Sequence, residues 1–174
     1  MSFNELLKVS GFEDDGYHKL LASLVEHYKP KSILELGVRF GSTAIAMGVV
    51  CPPDIPITLI DPVIKTEAVL FMDKFDLKPK LIEGEYLEEL PKITAEFVHI
   101  DPDLLDIHIF SQLFTISKWE LQPQVVVIHS TADPEIKLQI LEFMASNLEK
   151  WDVAIVTNVV NEAMVLIRRD DESQ

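Results

Sequence analysis

The sequence predicts an α/β chain, a three-layer αβα sandwich whose seven-stranded, mostly parallel sheet closes with an antiparallel C-terminal hairpin. Three observations carry this. From Ser32 onward, short apolar runs alternate with longer amphipathic stretches, the pattern of parallel strands joined by crossover helices. The last two runs are separated only by residues 159–162, too few for the crossover that a parallel neighbour needs, so they pair antiparallel. A chain of 174 residues with 48% apolar content has enough core for one such sandwich but is short for two domains.

The elements follow in order. Leu6, Leu7, Leu20, Leu21, Leu24, Val25 and Tyr28 recur at helical spacing around the break GFEDDG, so residues 2–28 form one or two helices, which Pro30 ends. The strands are SILELG (32–37), ITLID (57–61), KLIEG (80–84), FVHID (97–101), VVVIHS (125–130), VAIVTN (153–158) and AMVLIRR (163–169). Helical periodicity marks residues 42–50, 64–76, 86–90, 104–119 and 134–149 as crossovers. Asp133 and Pro134 supply an N-cap and a proline at the first helical position. The chain thus divides into a helical segment 1–29 that could serve as a lid, a sandwich 30–169 and an acidic tail 170–174.

Composition narrows the partners. With 29 acidic against 15 basic side chains the net charge is −14, which repels polyanions and leaves no basic footprint, so neither nucleic acid nor an anionic membrane is expected. Cys51, the single cysteine, forbids an intrachain disulfide and a cysteine-based zinc cluster, and reads as a small buried residue in a reducing compartment. The N-terminus has acids where a signal peptide has a basic region, and no run of about 18 apolar residues could span a membrane, so the cytoplasm is the expected location.

Open sheets of this kind bind ligands at the carboxyl ends of their strands. There the first strand runs into ELGVRFGST, with Glu35, Gly37, Arg39, Gly41 and Ser42. Gly37 lets backbone approach a ligand, and the next helix begins beside it. A dinucleotide fingerprint fails here, because Arg39 and Ser42 stand where glycines belong. Read as ExGxxxG, the loop offers the Glu35 carboxylate to a ligand carrying an ammonium or sulfonium cation; the bland alternative is a plain βα turn with an exposed glutamate.

Asp61 ends the second strand at the interval after Gly37 where a carboxylate can accept from ribose hydroxyls, although an aspartate before Pro62 also suits a simple turn. The third strand ends at Glu83 and Glu85 around Gly84. Glu85 could accept from an adenine amino group or merely begin an acidic helix. FVHIDPD adds Asp101 and Asp103. Four consecutive strands therefore deliver acids to one edge, a row of repelling charges that a purely structural sheet does not need.

These residues resemble the class I S-adenosylmethionine-dependent methyltransferases and, within them, the small O-methyltransferase-like group called methyltransferase family 24. The resemblance covers about residues 30–169 and rests on ILELGVRFGST, ITLID, LIEGEYLEELP, EFVHIDPD and VVVIHS in the family's order and spacing. It implies a Rossmann-like methyltransferase sandwich of strand order 3-2-1-4-5-7-6. It also implies S-adenosylmethionine as cofactor, with Glu35, Gly37 and Gly41 (and Ser42 in the same loop) around its methionine part, Asp61 on the ribose, Glu85 on the adenine, and Asp101 toward the amino-acid end and the substrate. Two departures stand out. Arg39 replaces the loop's middle glycine, and DPDLLD and His129-Ser130 replace the aspartate-glycine-aspartate-histidine and histidine-aspartate runs of many relatives, which argues against a divalent metal.

Methyl transfer is an in-line displacement at an activated carbon, so much of its acceleration comes from holding the acceptor in contact and in line. A hydroxyl acceptor benefits from a general base, for which Asp101, Asp103 and His129 are the candidates. Asp101 ranks first. Histidine's intrinsic pKa suits His129 to the role, but a lone histidine at a strand end is more often a satisfied structural residue. His99 shares a side of its strand with Asp101 but lies deeper and reads as a core histidine bonded to a neighbouring element. Trp119 and Trp151 read as packing. The leading expectation is therefore a methyltransferase acting on a small molecule or saccharide at oxygen. The competing one is a catalytically silent binding or regulatory module, motivated by the missing histidine and aspartate after the fourth and fifth strands and by thin cover over the substrate side. The N-terminal helices, a large acceptor or a second copy in a homo-oligomer could supply that cover.

Overall fold

The computed structural model describes residues 16–101, 108–157 and 162–169. Helix α1 (Gly16–Tyr28) turns Tyr17, His18, Leu21, Ala22 and Val25 inward at helical spacing. It ends where Lys29 enters the left-handed region (φ 48) immediately before Pro30, whose ring disfavours helical backbone at the preceding residue.

Seven strands follow: β1 (Ile33–Leu36), β2 (Ile57–Asp61), β3 (Lys80–Glu83), β4 (Phe97–Ile100), β5 (Val125–His129), β6 (Trp151–Val156) and β7 (Ala163–Arg168). Their order is β3-β2-β1-β4-β5-β7-β6. β7 runs antiparallel to β5 and β6, and the remaining pairs are parallel, as the short last connection requires. Between them lie α2 (Ser42–Gly48), α3 (Thr66–Asp73), α4 (Tyr86–Glu89) with a 3-10 turn over Leu90–Lys92, α5 (Ile109–Ile116) and α6 (Pro134–Ala145).

Strand alternation distributes the core over two faces. Ile33, Ile57, Leu59, Phe97, Val125 and Val127 pack with α1, α2 and α3. Leu34, Leu36, Ile60, Val98, Ile100, Val126 and Ile128 pack with α4, α5 and α6. Trp119 and Trp151 are buried in the second core, and the Asp133 carboxylate caps α6 by accepting from the N–H groups of Glu135 (2.8 Å) and Ile136 (3.4 Å).

Several boundaries differ from expectation. β6 begins at Trp151 rather than Val153, because Trp151 pairs with Arg168 and its indole is buried. α6 stops at Ala145 rather than 149, where the Asn147 side chain donates to Phe143 O (2.9 Å) and closes the last turn. α3 spans 66–73 rather than 64–76; its end is a turn in which Asp76 takes φ 55. α2 ends at Gly48, ahead of Pro52 and Pro53. The helix expected within 2–15, Asp103, the expected start of a helix at 104, the expected strand end at Asn158 and the tail 170–174 lie outside the described residues.

Candidate functional site

Strand register sorts the candidate residues into two layers. Leu36 is the partner of Ile60 in β2 and of Ile100 in β4, so Gly37 emerges between Asp61 and Asp101. Backbone bonds fix this: Gly37 N–H donates to Ile60 O (3.0 Å), and Asp101 N–H donates to Leu36 O (2.9 Å). Glu83 is the register partner of Asp61, and His129 follows Ile128, the partner of Ile100. Glu83, Asp61, Gly37, Asp101 and His129 thus line one carboxyl edge. One layer deeper, Glu35 stands between Leu59 and His99.

The β1–α2 loop depends on left-handed backbone, with φ 90 at Gly37, 46 at Arg39 and 75 at Gly41. Asp61 holds it. Its Oδ2 accepts from the N–H of Val38 (2.7 Å) and Arg39 (3.4 Å), while Oδ1 accepts from Val63 N–H (2.9 Å). Asp61 is therefore the turn residue that its place before Pro62 suggests, and also a clamp on the glycine loop. A Cβ at Gly41 would lie 3.0 Å from Met72 Cγ, so this position requires glycine for space as well as for φ. Ser42, half-buried, begins α2. Glu83 accepts from Ile64 N–H (3.1 Å), and Glu85 is exposed at the start of α4. Arg39 is exposed with its guanidinium 5.4 Å from the Phe40 ring centre, and no described carboxylate lies within ion-pair distance of it.

Glu35 does not present an exposed carboxylate to the edge, as a plain turn or a directly facing cation would need. It is 0% exposed. The Thr43 hydroxyl donates to its Oε1, and His99 Nδ1 lies 2.9 Å from the same oxygen. Across the ring, His99 Nε2 is 2.6 Å from the Tyr17 hydroxyl. An Nδ1–H on His99 donates to Glu35, and Nε2 meets the Tyr17 hydroxyl. Glu35 Oε2 is buried without a partner. His99 is thus the bonded core histidine that its depth predicts. Tyr17 and Thr43 are the members sequence reasoning misses; Thr43 could have been found from its place in the first turn after the glycine loop, whereas Tyr17 carries no signal beyond helical spacing.

At the edge itself, His129 Nδ1 lies 3.0 Å from Asp101 Oδ1. Burial alone would raise the Asp101 carboxyl, but the bond to His129 and the electrostatic pull of His99, His129 and Arg39 outweigh it and hold the group below the ordinary carboxylate range. The ring of Tyr17 stacks on that of His129, with centroids 4.0 Å apart and planes 23° from parallel. Ser130 then leaves the strand at φ 59.

Cys51 is only half-buried rather than a full core residue, and desolvation pushes its thiol up to about 11. It lines a groove of about 740 Å³ at the amino ends of β2 and β3, away from this edge. Among the described residues no helix is long and apolar enough to cross a membrane.

No protein-family model matches the chain, and no curated protein does. Solved structures do. An O-methyltransferase from Bacillus cereus in complex with S-adenosylhomocysteine superposes with a TM-score of 0.74 at 15% identity, over 95% of this chain and 90% of that one. An S-adenosylhomocysteine-bound methyltransferase from Podospora anserina gives 0.71 at 17% identity, over 88% and 78%. The O-methyltransferase TomG from Streptomyces achromogenes, in complex with S-adenosylmethionine, gives 0.64 at 16% identity, over 97% and 88%. These likenesses show that the chain has the Rossmann-like fold of class I methyltransferases.

Proposed function

We propose that this protein is an S-adenosylmethionine-dependent methyltransferase of the small O-methyltransferase-like group, acting in the cytoplasm on a small-molecule or saccharide hydroxyl. The observation that carries the proposal is Gly37, without a side chain and at φ 90, set between Asp61 and Asp101 with His129 bonded beside it. The cofactors bound to the structural neighbours support the same reading.

The residues fit such a cofactor. Gly37, Gly41 and Ser42 surround its methionine part in this reading. Asp61 keeps one lone pair on Oδ1 after accepting three backbone N–H groups, enough for a ribose hydroxyl. Glu85, exposed at the start of α4, is free to reach an adenine amino group. Glu35 acts indirectly, bracing the loop from beneath through Thr43. When bound, the cofactor supplies a methyl group activated by its sulfonium.

The acceptor side belongs to Asp101 and His129. An ionised Asp101 accepting from His129 Nδ1–H fixes the tautomer that carries a lone pair on Nε2, the arrangement of a general base oriented by a carboxylate. His129 then takes the hydroxyl proton, and Asp101 stabilises the imidazolium. The helical segment before β1 covers the acceptor side in this reading.

A second reading, a catalytically silent module, is favoured by one observation: Asp61 accepts three backbone N–H groups, so a structural duty in the loops accounts for it by itself. A screen of hydroxylated acceptors, saccharides included, for production of S-adenosylhomocysteine separates the two. Turnover that falls in His129→Gln is the expected result. Turnover unchanged in that variant removes the base assignment, and no turnover with any acceptor favours the silent module.

A further inference from the structure

We infer that Tyr17 is a positioning residue for the acceptor side, holding the His129 imidazole against Asp101, so that the base is competent only when α1 is seated; this rests on the methyltransferase reading above. Tyr17 is 2% exposed at the start of α1 and contacts His129 at the sheet edge and His99 one layer deeper at once. Its ring lies on the His129 ring, 4.0 Å between centroids, while its hydroxyl reaches His99 Nε2 at 2.6 Å. His99 is anchored in turn to Glu35, 2.9 Å away, and the Thr43 hydroxyl bonds the same carboxylate oxygen. Glu35 and His99 are wholly buried, so the hydroxyl is tethered to the rigid interior of the sheet.

This matters because His129 ends β5, and its successor Ser130 leaves in the left-handed region. The contact from Nδ1 to Asp101, with the Ser130 hydroxyl 3.5 Å from the same nitrogen, acts at the ring's edge and constrains position more than tilt. A stacked face removes the remaining freedom, and aromatic stacking provides it at low entropic cost because Tyr17 is itself fixed at both ends. Leucine or methionine in place of Tyr17 fills apolar volume but offers neither the flat face nor the tether. Phenylalanine keeps the face and loses the tether.

The test uses the full chain. Imidazole ¹H–¹⁵N correlation spectra report the tautomer of His129 and the ring-current displacement of its protons, and calorimetry with S-adenosylhomocysteine reports the cofactor site. In wild type we expect one tautomer, protonated on Nδ1, with strongly displaced ring protons. Tyr17→Leu is expected to lose that displacement, mix tautomers and lower kcat about tenfold or more for an acceptor found by the screen above, with a smaller change in acceptor KM. Tyr17→Phe is expected to retain the displacement and recover most of kcat. If Tyr17→Leu does not fold, Tyr17→Met carries the same expectations. An unchanged His129 signature and kcat in the ringless variant, with S-adenosylhomocysteine still bound, overturns the positioning role alone. Failure of wild type to bind S-adenosylhomocysteine overturns the methyltransferase reading instead.

Discussion

His129 and Asp101 join the carboxyl ends of adjacent parallel strands through a 3.0 Å contact between Nδ1 and Oδ1. The carboxylate is held in its ionised form by that bond and by nearby positive charge, against the opposing effect of burial. An acid with a depressed folded pKa contributes stability above its unfolded value, near 4, and loses the contribution as pH falls through the folded value. Asp101→Asn, which does not titrate, is therefore expected to be less stable than wild type by about 1 kcal/mol at pH 6. The difference should shrink as the pH is taken below about 4. Urea denaturation at several pH values measures it; a gap that stays constant down to pH 2.5 contradicts the assignment.

Arg39 contributes to the low Asp101 pKa while occupying left-handed backbone at φ 46. Arg39→Gly removes the charge and accommodates the backbone. The Asp101 carboxyl should titrate higher in the variant, followed by carboxyl ¹³C shifts, while stability changes by no more than about 1 kcal/mol in either direction. An unchanged Asp101 titration would show that the guanidinium does not act on this carboxylate.

Gly41 combines φ 75 with a Cβ direction that meets Met72 at 3.0 Å. Gly41→Ala is expected to cost about 1–3 kcal/mol, from left-handed strain and overpacking together, and to weaken S-adenosylhomocysteine binding by distorting the loop. Wild-type stability in chemical denaturation would mean that the loop relaxes without cost.

Glu35 is the hub of a buried polar cluster. Glu35→Ala strands the Thr43 hydroxyl and the His99 N–H without an acceptor, for an expected loss of about 3 kcal/mol or more. Glu35→Gln, which keeps a carbonyl oxygen, should lose clearly less. Equal losses in both variants would show that the charge on Glu35, rather than its acceptor oxygen, holds the cluster together.

How much of this was legible in the sequence depends on distance along the chain. The strand order follows from local facts, since long amphipathic connections force parallel crossovers and a short one forces a hairpin. Asp61 and Asp101 are legible as edge residues because each ends an apolar run beside Gly37. The depth of Glu35 was also within reach: it precedes Gly37 by two residues, so strand geometry puts it on the same face but one layer down. What no local pattern contains is the contact of Tyr17 with His99, 82 residues apart, because it arises only when α1 packs across the sheet. The two-residue advance of β6 has the same origin, the pairing of Trp151 with Arg168.

The central claim is that the edge around Gly37 holds a sulfonium nucleoside cofactor. Its most direct test is calorimetric titration of the full chain with S-adenosylmethionine and S-adenosylhomocysteine, with and without a divalent metal, using NADH as control and Asp61→Ala as the site variant. Micromolar-range binding of both sulfur ligands, loss of that binding in Asp61→Ala and no response to NADH are expected. No binding of either sulfur ligand under both metal conditions would contradict the account, leaving a methyltransferase fold that serves another purpose.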